Sequence, residues 1–193
     1  MPVDVKTGTY LPGGEKLHWT YYDTATLVAT GVSYSLFQTQ LGAGATPKTY
    51  AQTNLTSAGQ IPKGQKFTIH AISLEFLSHA QKVTADIQLL FTFLTTSWIR
   101  FIIPGKDSLY TKTISTILGT PVLWSTTPTV AGNNELIMSI GRFVGVDRLS
   151  IPIIMEEQTP FEVRLEYPTA LGATNIVGDF VRVNLNGILD RKS

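Results

Sequence analysis

Histidine and carboxylate side chains are the residues in this sequence that could bind a metal ion or transfer protons. His18, His70 and His79 are the only histidines, and none of them forms the closely spaced pair that a zinc site needs. The chain has no cysteine, so disulfides, thiolate ligands and a cysteine nucleophile are excluded. His70 lies in a predicted strand, where a surface or hydrogen-bonded histidine is favoured over a ligand. We therefore predict no metal and no cofactor.

Two pairs of acidic residues could supply the paired carboxylates of a glycosidase or the oxygens of a calcium site. They are Glu156 with Glu157, and Glu162 with Glu166. Glu162, Arg164 and Glu166 alternate with apolar residues in one predicted strand, which indicates a solvated or cross-strand paired face. There is also no G-x-S-x-G motif to support a serine nucleophile. We predict no catalytic residue and expect the protein not to be an enzyme.

Two glycine-containing segments invite comparison with phosphate-binding loops. They are "GAGATPK" at residues 42–48 and "PGKDS" at residues 104–108. Neither contains G-K-[ST] between a buried strand and a helix, which a phosphate loop requires. Both segments therefore read as turns, and we expect no small-molecule ligand.

The tryptophans allow two interpretations. Trp19, Trp98 and Trp124 could be platforms for stacking sugars, as in carbohydrate-binding sandwiches. They could instead fill the core and the interfaces, which is the interpretation that we favour.

The elements that must position these residues are predicted to be strands almost throughout. The segment "VTADIQLLFTF", residues 83–93, alternates with a period of two, so it predicts a strand with one buried face. The buried residues would be Val83, Ile87, Leu89, Phe91 and Phe93, with Leu90 on the opposite side. In "FTIHAISLEF", residues 67–76, the apolar phase shifts by one residue, which predicts a β-bulge.

Further strands are predicted from the remaining alternating segments. They cover residues 1–10, 26–41, 108–118, 135–143, 148–154, 161–168 and 179–189. No stretch shows helical periodicity over three turns, and β-branched residues dominate the apolar segments. The fold class is predicted to be all-β: a single-domain antiparallel β-sandwich, specifically an eight-stranded jelly roll spanning residues 1–193.

Composition favours a protein that assembles. Only 15% of the residues are charged and the formal net charge is +1, so charge repulsion between copies is weak and a dedicated nucleic-acid site is not expected. We expect no signal peptide and no membrane span.

An N-terminal arm at about residues 1–25 and a long loop at about residues 41–62 are predicted to contact neighbouring copies, although such a loop can also cover a sheet edge or stay disordered. Deleting residues 43–57 should leave the sandwich folded.

The strands "KFTIHAISLEFL" and "FEVRLEYP" and the closing "FVRVNLNGILDR" resemble those of single jelly-roll capsid and decoration proteins of bacterial viruses. This resemblance implies a virion structural protein, assembled in the host cytoplasm, that forms rings with copies of itself and contacts other virion proteins. It implies no site residues. The alternative is a carbohydrate-binding or receptor-binding β-sandwich module, and a cupin-type enzyme is a third, less favoured interpretation.

Overall fold

The computed structural model of the protein describes residues 14–77, 84–106, 108–118, 142–172, 174 and 176–191. In this part of the chain there are eight strands and two helices. The strands are β1 (Glu15–Thr26), β2 (Ser33–Leu36), β3 (Gln65–Leu77), β4 (Trp98–Ile102), β5 (Tyr110–Thr113), β6 (Arg142–Met155), β7 (Glu162–Glu166) and β8 (Phe180–Arg191). The helices are α1 (Thr84–Thr96) and α2 (Ile114–Leu118).

The strands form two antiparallel sheets, with the orders β1-β8-β3-β6 and β2-β7-β4-β5. The first strand pairs with the eighth, the second with the seventh, the third with the sixth and the fourth with the fifth. This long double-stranded ribbon is folded over so that β8 also pairs with β3 and β7 also pairs with β4. Such pairing is the topology of a jelly roll. The predicted all-β sandwich is confirmed.

The core lies between the two sheets and follows the predicted alternation in β7 and β8. Val163 and Leu165 of β7 are buried, as are the flanking Phe161 and Tyr167. Phe161 stacks on the ring of Phe101 from the neighbouring β4, with centroids 5.7 Å apart. Burying an aromatic or branched side chain of this size contributes about 1.5–3 kcal/mol, so these alternating positions fix which side of the strand faces inward.

The predicted β-bulge in β3 is confirmed. Ile69 pairs with Gly187 of β8 and Ala71 pairs with the next residue, Asn186, so His70 is the extra residue. A Cβ atom at Gly187 would lie 2.0 Å from the carbonyl oxygen of Thr68, which is too close for any residue but glycine. The bulge turns His70 to the outer face and keeps both halves of β3 in register with the core.

The strand predicted over residues 83–93 is wrong, because this segment forms helix α1. Leu90, Phe93 and Leu94 are buried, at helical spacing, whereas Phe91 is exposed and Leu89 is partly buried. Leu90 was predicted to face away from the core. The structure does not describe Val83 or the side chain of Ile87. A run that contains apolar residues at both spacings fits a strand or a helix, and here packing favours the helix.

Other predictions also change. Residues 108–118, predicted as one strand, form the short strand β5 and then helix α2, whose Ile114 and Ile117 are buried, so the strand prediction is wrong for residues 114–118. Residues 15–25 of the predicted N-terminal arm belong to β1. The predicted strands at residues 1–10 and 135–141 lie outside the described residues. Neither helix is long and apolar enough to cross a membrane.

Candidate interaction surfaces

Where the structure describes them, the histidines and the adjacent glutamates do not come together in a catalytic or metal-binding arrangement. His18 and His70 are exposed on the outer face of the sheet β1-β8-β3-β6, and His79 lies outside the described residues. Glu156 pairs with Lys66 at 2.7 Å, and Glu157 accepts a hydrogen bond from the backbone N–H of Gly64. Within the part of the chain that the structure describes, no three His, Asp or Glu residues are grouped as metal ligands.

The polar side of β7 is a network of ion pairs, as its alternation predicts. Arg164 donates hydrogen bonds to both carboxylate oxygens of Glu162, at 3.1 and 2.9 Å, and Ser35 of β2 donates to the same carboxylate at 2.6 Å. The hydrogen bonds from Arg164, and secondarily from Ser35, hold the pKa of Glu162 below its ordinary value. Glu162 is therefore a fixed carboxylate and not a proton donor at neutral pH.

Of the three tryptophans, Trp98 is the one that the structure places on an exposed sheet face. Its indole N–H donates to Glu166 of β7 at 2.5 Å, while 38% of the residue remains exposed. Trp19 is partly buried and packs against the core, edge-on to Tyr21. Trp124 lies outside the described residues.

The long loop at residues 41–62 packs back against the sandwich and covers one sheet edge. The side-chain oxygen of Asn54 accepts a hydrogen bond from the N–H of Tyr22 at 2.9 Å, and its amide donates to the carbonyl of Thr20 at 2.7 Å. Thr53 forms a bridge with Asp23. These contacts satisfy backbone groups of β1 on its open side, so part of the loop protects an edge strand.

A buried ion pair anchors the same loop. Asp23 is fully buried, and Lys48 from the predicted turn at 42–48 places its Nζ 2.7 and 2.8 Å from the two carboxylate oxygens. Asp23 also accepts a hydrogen bond of 2.6 Å from the N–H of Phe37. The carboxylate thus joins β1, the end of β2 and the loop, and neither spacing nor motif in the sequence indicates this arrangement.

The opposite edge of the same sheet is β6, which has 14 residues. Among the described residues, no strand lies on its outer side. Val146, Ile151 and Ile154 are 58%, 83% and 54% exposed. A long edge strand with exposed apolar side chains is a template for pairing with another chain. This surface was missed by the sequence reasoning, which placed the contacts in loops and termini.

An open depression of about 290 Å³ lies on the outer face of this sheet. It is lined by Lys16, Lys66, Thr68, His70, Ile188 and Asp190. Both lysines already face carboxylates, with Lys16 4.0 Å from Asp190 and Lys66 2.7 Å from Glu156. The charge of the depression is therefore largely balanced.

The chain was compared with protein-family models and with curated proteins, and neither comparison gives a match.

Proposed function

We propose that this chain is a virion structural protein, a subunit of the capsid shell or of a protein layer attached to it, that assembles with copies of itself and performs no catalysis. The observation that carries the proposal is the β6 edge. Single exposed apolar residues are ordinary on any protein surface. Val146, Ile151 and Ile154, however, lie on one edge strand of 14 residues. Arg148 and Pro152 of the same strand restrict continuous pairing along it, but the three exposed apolar side chains remain suited to a contact with another copy.

The two edge strands of this sheet, β1 and β6, differ in how far the described chain covers them, and this difference supports assembly through β6. At β1 the chain uses its own loop, through Thr53 and Asn54, to satisfy the edge. At β6, within the described chain, no strand pairs with the outer side, although α2 packs against Gly145 and the side chains of Tyr110 and Lys112 bind Asp147. A second copy that covers β6 would bury the apolar side chains and pair the backbone groups, and repeated contacts of this kind close into rings when the rotation between copies allows it.

The loop at residues 41–62 supports a second contact. Tyr50, near the middle of this loop, is strongly exposed, although Tyr22 fixes its position by donating a hydrogen bond to its carbonyl. An aromatic side chain held on a positioned loop is a suitable anchor in a subunit interface. The jelly-roll topology recurs in viral capsid proteins, which adds an argument by analogy of fold.

The test is the mass of the assembly in solution. We expect the wild-type chain to form particles or rings as its concentration rises, measured by light scattering after size-exclusion chromatography and by electron microscopy. Val146→Lys should lower the assembled mass and leave the fold intact, because Val146 is exposed. Val32→Lys is the matched control, since Val32 is also an exposed valine but does not lie on β6.

Two results would overturn the proposal. The first is a wild-type chain that stays monomeric at high concentration. The second is assembly that does not depend specifically on β6, seen as a Val146→Lys variant that assembles like the wild type or as a Val32→Lys variant that is impaired to the same degree.

A further inference from the structure

The outer face of the sheet β2-β7-β4-β5 carries one exposed aromatic side chain, Trp98, in a surface that is polar apart from the partly buried Ile102. Trp98 of β4 lies between Thr113 of β5 and Glu166 of β7 in the strand register. In the row below, Arg100 lies between Thr111 and Arg164. Because neighbouring strands are about 4.8 Å apart, the four strands span a surface about 15 Å wide.

Apart from Arg100, the charged side chains of this face are held in place before any ligand binds. Arg164 and Ser35 fix Glu162 by hydrogen bonds of 2.6–3.1 Å. The indole N–H of Trp98 fixes Glu166, and Arg100 approaches the same carboxylate at 3.6 Å. That distance is longer than a hydrogen bond, so the donors of the Arg100 guanidinium, which is 40% exposed, can turn to a ligand. A prepared surface loses little side-chain entropy on binding.

We propose that this face, which we call the Trp98 face (Trp98, Arg100, Arg164, Glu162 and Glu166), binds a neutral oligosaccharide. A pyranose ring has an apolar C–H side and a rim of hydroxyls that both donate and accept hydrogen bonds. The indole offers a flat apolar platform for the C–H side of the sugar. For the hydroxyls, the carboxylates accept hydrogen bonds and the guanidinium groups donate them. One aromatic platform with a few fixed polar groups can therefore orient a sugar ring on an open sheet face.

The charge of the face selects the class of saccharide. Its two arginines and two glutamates cancel, and each glutamate lies within 4.0 Å of an arginine. A sialylated or sulfated glycan would gain no net attraction and would have to approach Glu162 and Glu166, whereas a neutral glycan meets donors and acceptors without that repulsion. The inference does not depend on the proposed virion role, because it concerns the other sheet and a different kind of partner.

The experiment is a glycan array that carries neutral, sialylated and sulfated oligosaccharides, followed by calorimetric titration of the best neutral oligosaccharide. Trp98→Ala should lower the affinity at least about tenfold, and Trp98→Tyr should retain part of it because a phenol ring still stacks. Phe91→Ala is the matched control: it removes another exposed aromatic, which lies on helix α1 and not on this sheet, and should leave the affinity unchanged. Circular dichroism checks that each variant is folded.

Several results would overturn the proposal: no binding to any neutral glycan on the array, a preference for anionic glycans, or an affinity that Trp98→Ala leaves unchanged. A Trp98→Ala variant that loses self-assembly without any effect on glycans would identify the face as a contact between copies instead. Failure of the virion proposal is recognised separately, by the assembled mass of Val146→Lys.

Discussion

Replacing Lys48 by methionine should destabilise the fold, because it leaves the carboxylate of Asp23 buried without a compensating charge. Asp23 is 0% exposed and the side chain of Lys48 is 20% exposed, with the two groups in contact at 2.7 Å. Without the ammonium group, the carboxylate keeps the hydrogen bond from the N–H of Phe37 but loses its compensating charge. Phe37 itself has a φ of 65°, a conformation that costs a non-glycine residue about 1–3 kcal/mol and therefore depends on such support.

The expected loss of unfolding free energy is about 3 kcal/mol. Removing one partner of a buried ion pair typically costs about 3–5 kcal/mol, and the partial exposure of Lys48 favours the lower end of that range. Asp23→Asn should cost less, about 1–2 kcal/mol, because the amide oxygen still accepts from Phe37 and the lysine can reach water. In the double variant the effects should be less than additive, with a coupling of about 1–3 kcal/mol.

Urea unfolding followed by tryptophan fluorescence measures these values. With a slope of about 1–3 kcal/mol per molar urea, Lys48→Met should lower the midpoint by about 1 M or more. Lys66→Met is the matched control, because it removes an ion pair of the same length, with Glu156, whose side chains are 41% and 62% exposed. This control should cost under about 1 kcal/mol. A Lys48→Met effect below about 1 kcal/mol, or one equal to that of Lys66→Met, would refute the reasoning.

Three other predictions concern the loop, the pH and metals. Deleting residues 43–57 should prevent stable folding, contrary to the expectation from sequence, because it removes Lys48, the fully buried Leu55 and the cover of β1; a folded deletion variant in circular dichroism would contradict this. Since the pKa of folded Glu162 is lowered, its contribution to stability is present above the ordinary pKa of 4.5 and is lost as the pH falls through the lowered pKa. Urea midpoints from pH 6 to pH 3 should therefore fall less steeply in Glu162→Gln than in the wild type. Thermal unfolding should coincide with and without a chelator, and a lower midpoint with chelator would indicate bound calcium.

The strands that the sequence predicted correctly are those in which one face is apolar and the other polar. β7 and β8 have this pattern, because Arg164 and Arg182 alternate with buried valines and leucines. In β3 the sequence also indicates the bulge, because Ile69 and Ile72 are both buried on the core side although they are three residues apart. A two-residue alternation of apolar side chains that is interrupted by one extra residue indicates a bulged strand and does not fit a helix.

The surfaces were harder to predict, for physical reasons. Asp23 and Lys48 are 25 residues apart, and only the folding of the loop onto β1 brings them together. Val146 and Ile154 fit an alternating strand, and the sequence does not show that their side of β6 faces outward. Trp98 could be recognised as a candidate by residue type alone, whereas its distinction from Trp19 depends on which sheet face each occupies.

In helix α1 the local sequence pattern and the tertiary packing disagree about which side chains are buried. Residues two apart share one face of a strand, but they are about 200° apart around a helix. Phe93 is fully buried and meets the ring of Tyr167 with centroids 5.2 Å apart, whereas Phe91 is 50% exposed.

Phe93→Ala should therefore cost about 3–5 kcal/mol of unfolding free energy, and Phe91→Ala under about 1 kcal/mol, both measured by urea unfolding. The two substitutions remove the same atoms from the same segment, so each is the control for the other. Equal and large losses would mean that both rings face the core, as the alternation of residues 83–93 predicts, and the helical assignment would then be wrong.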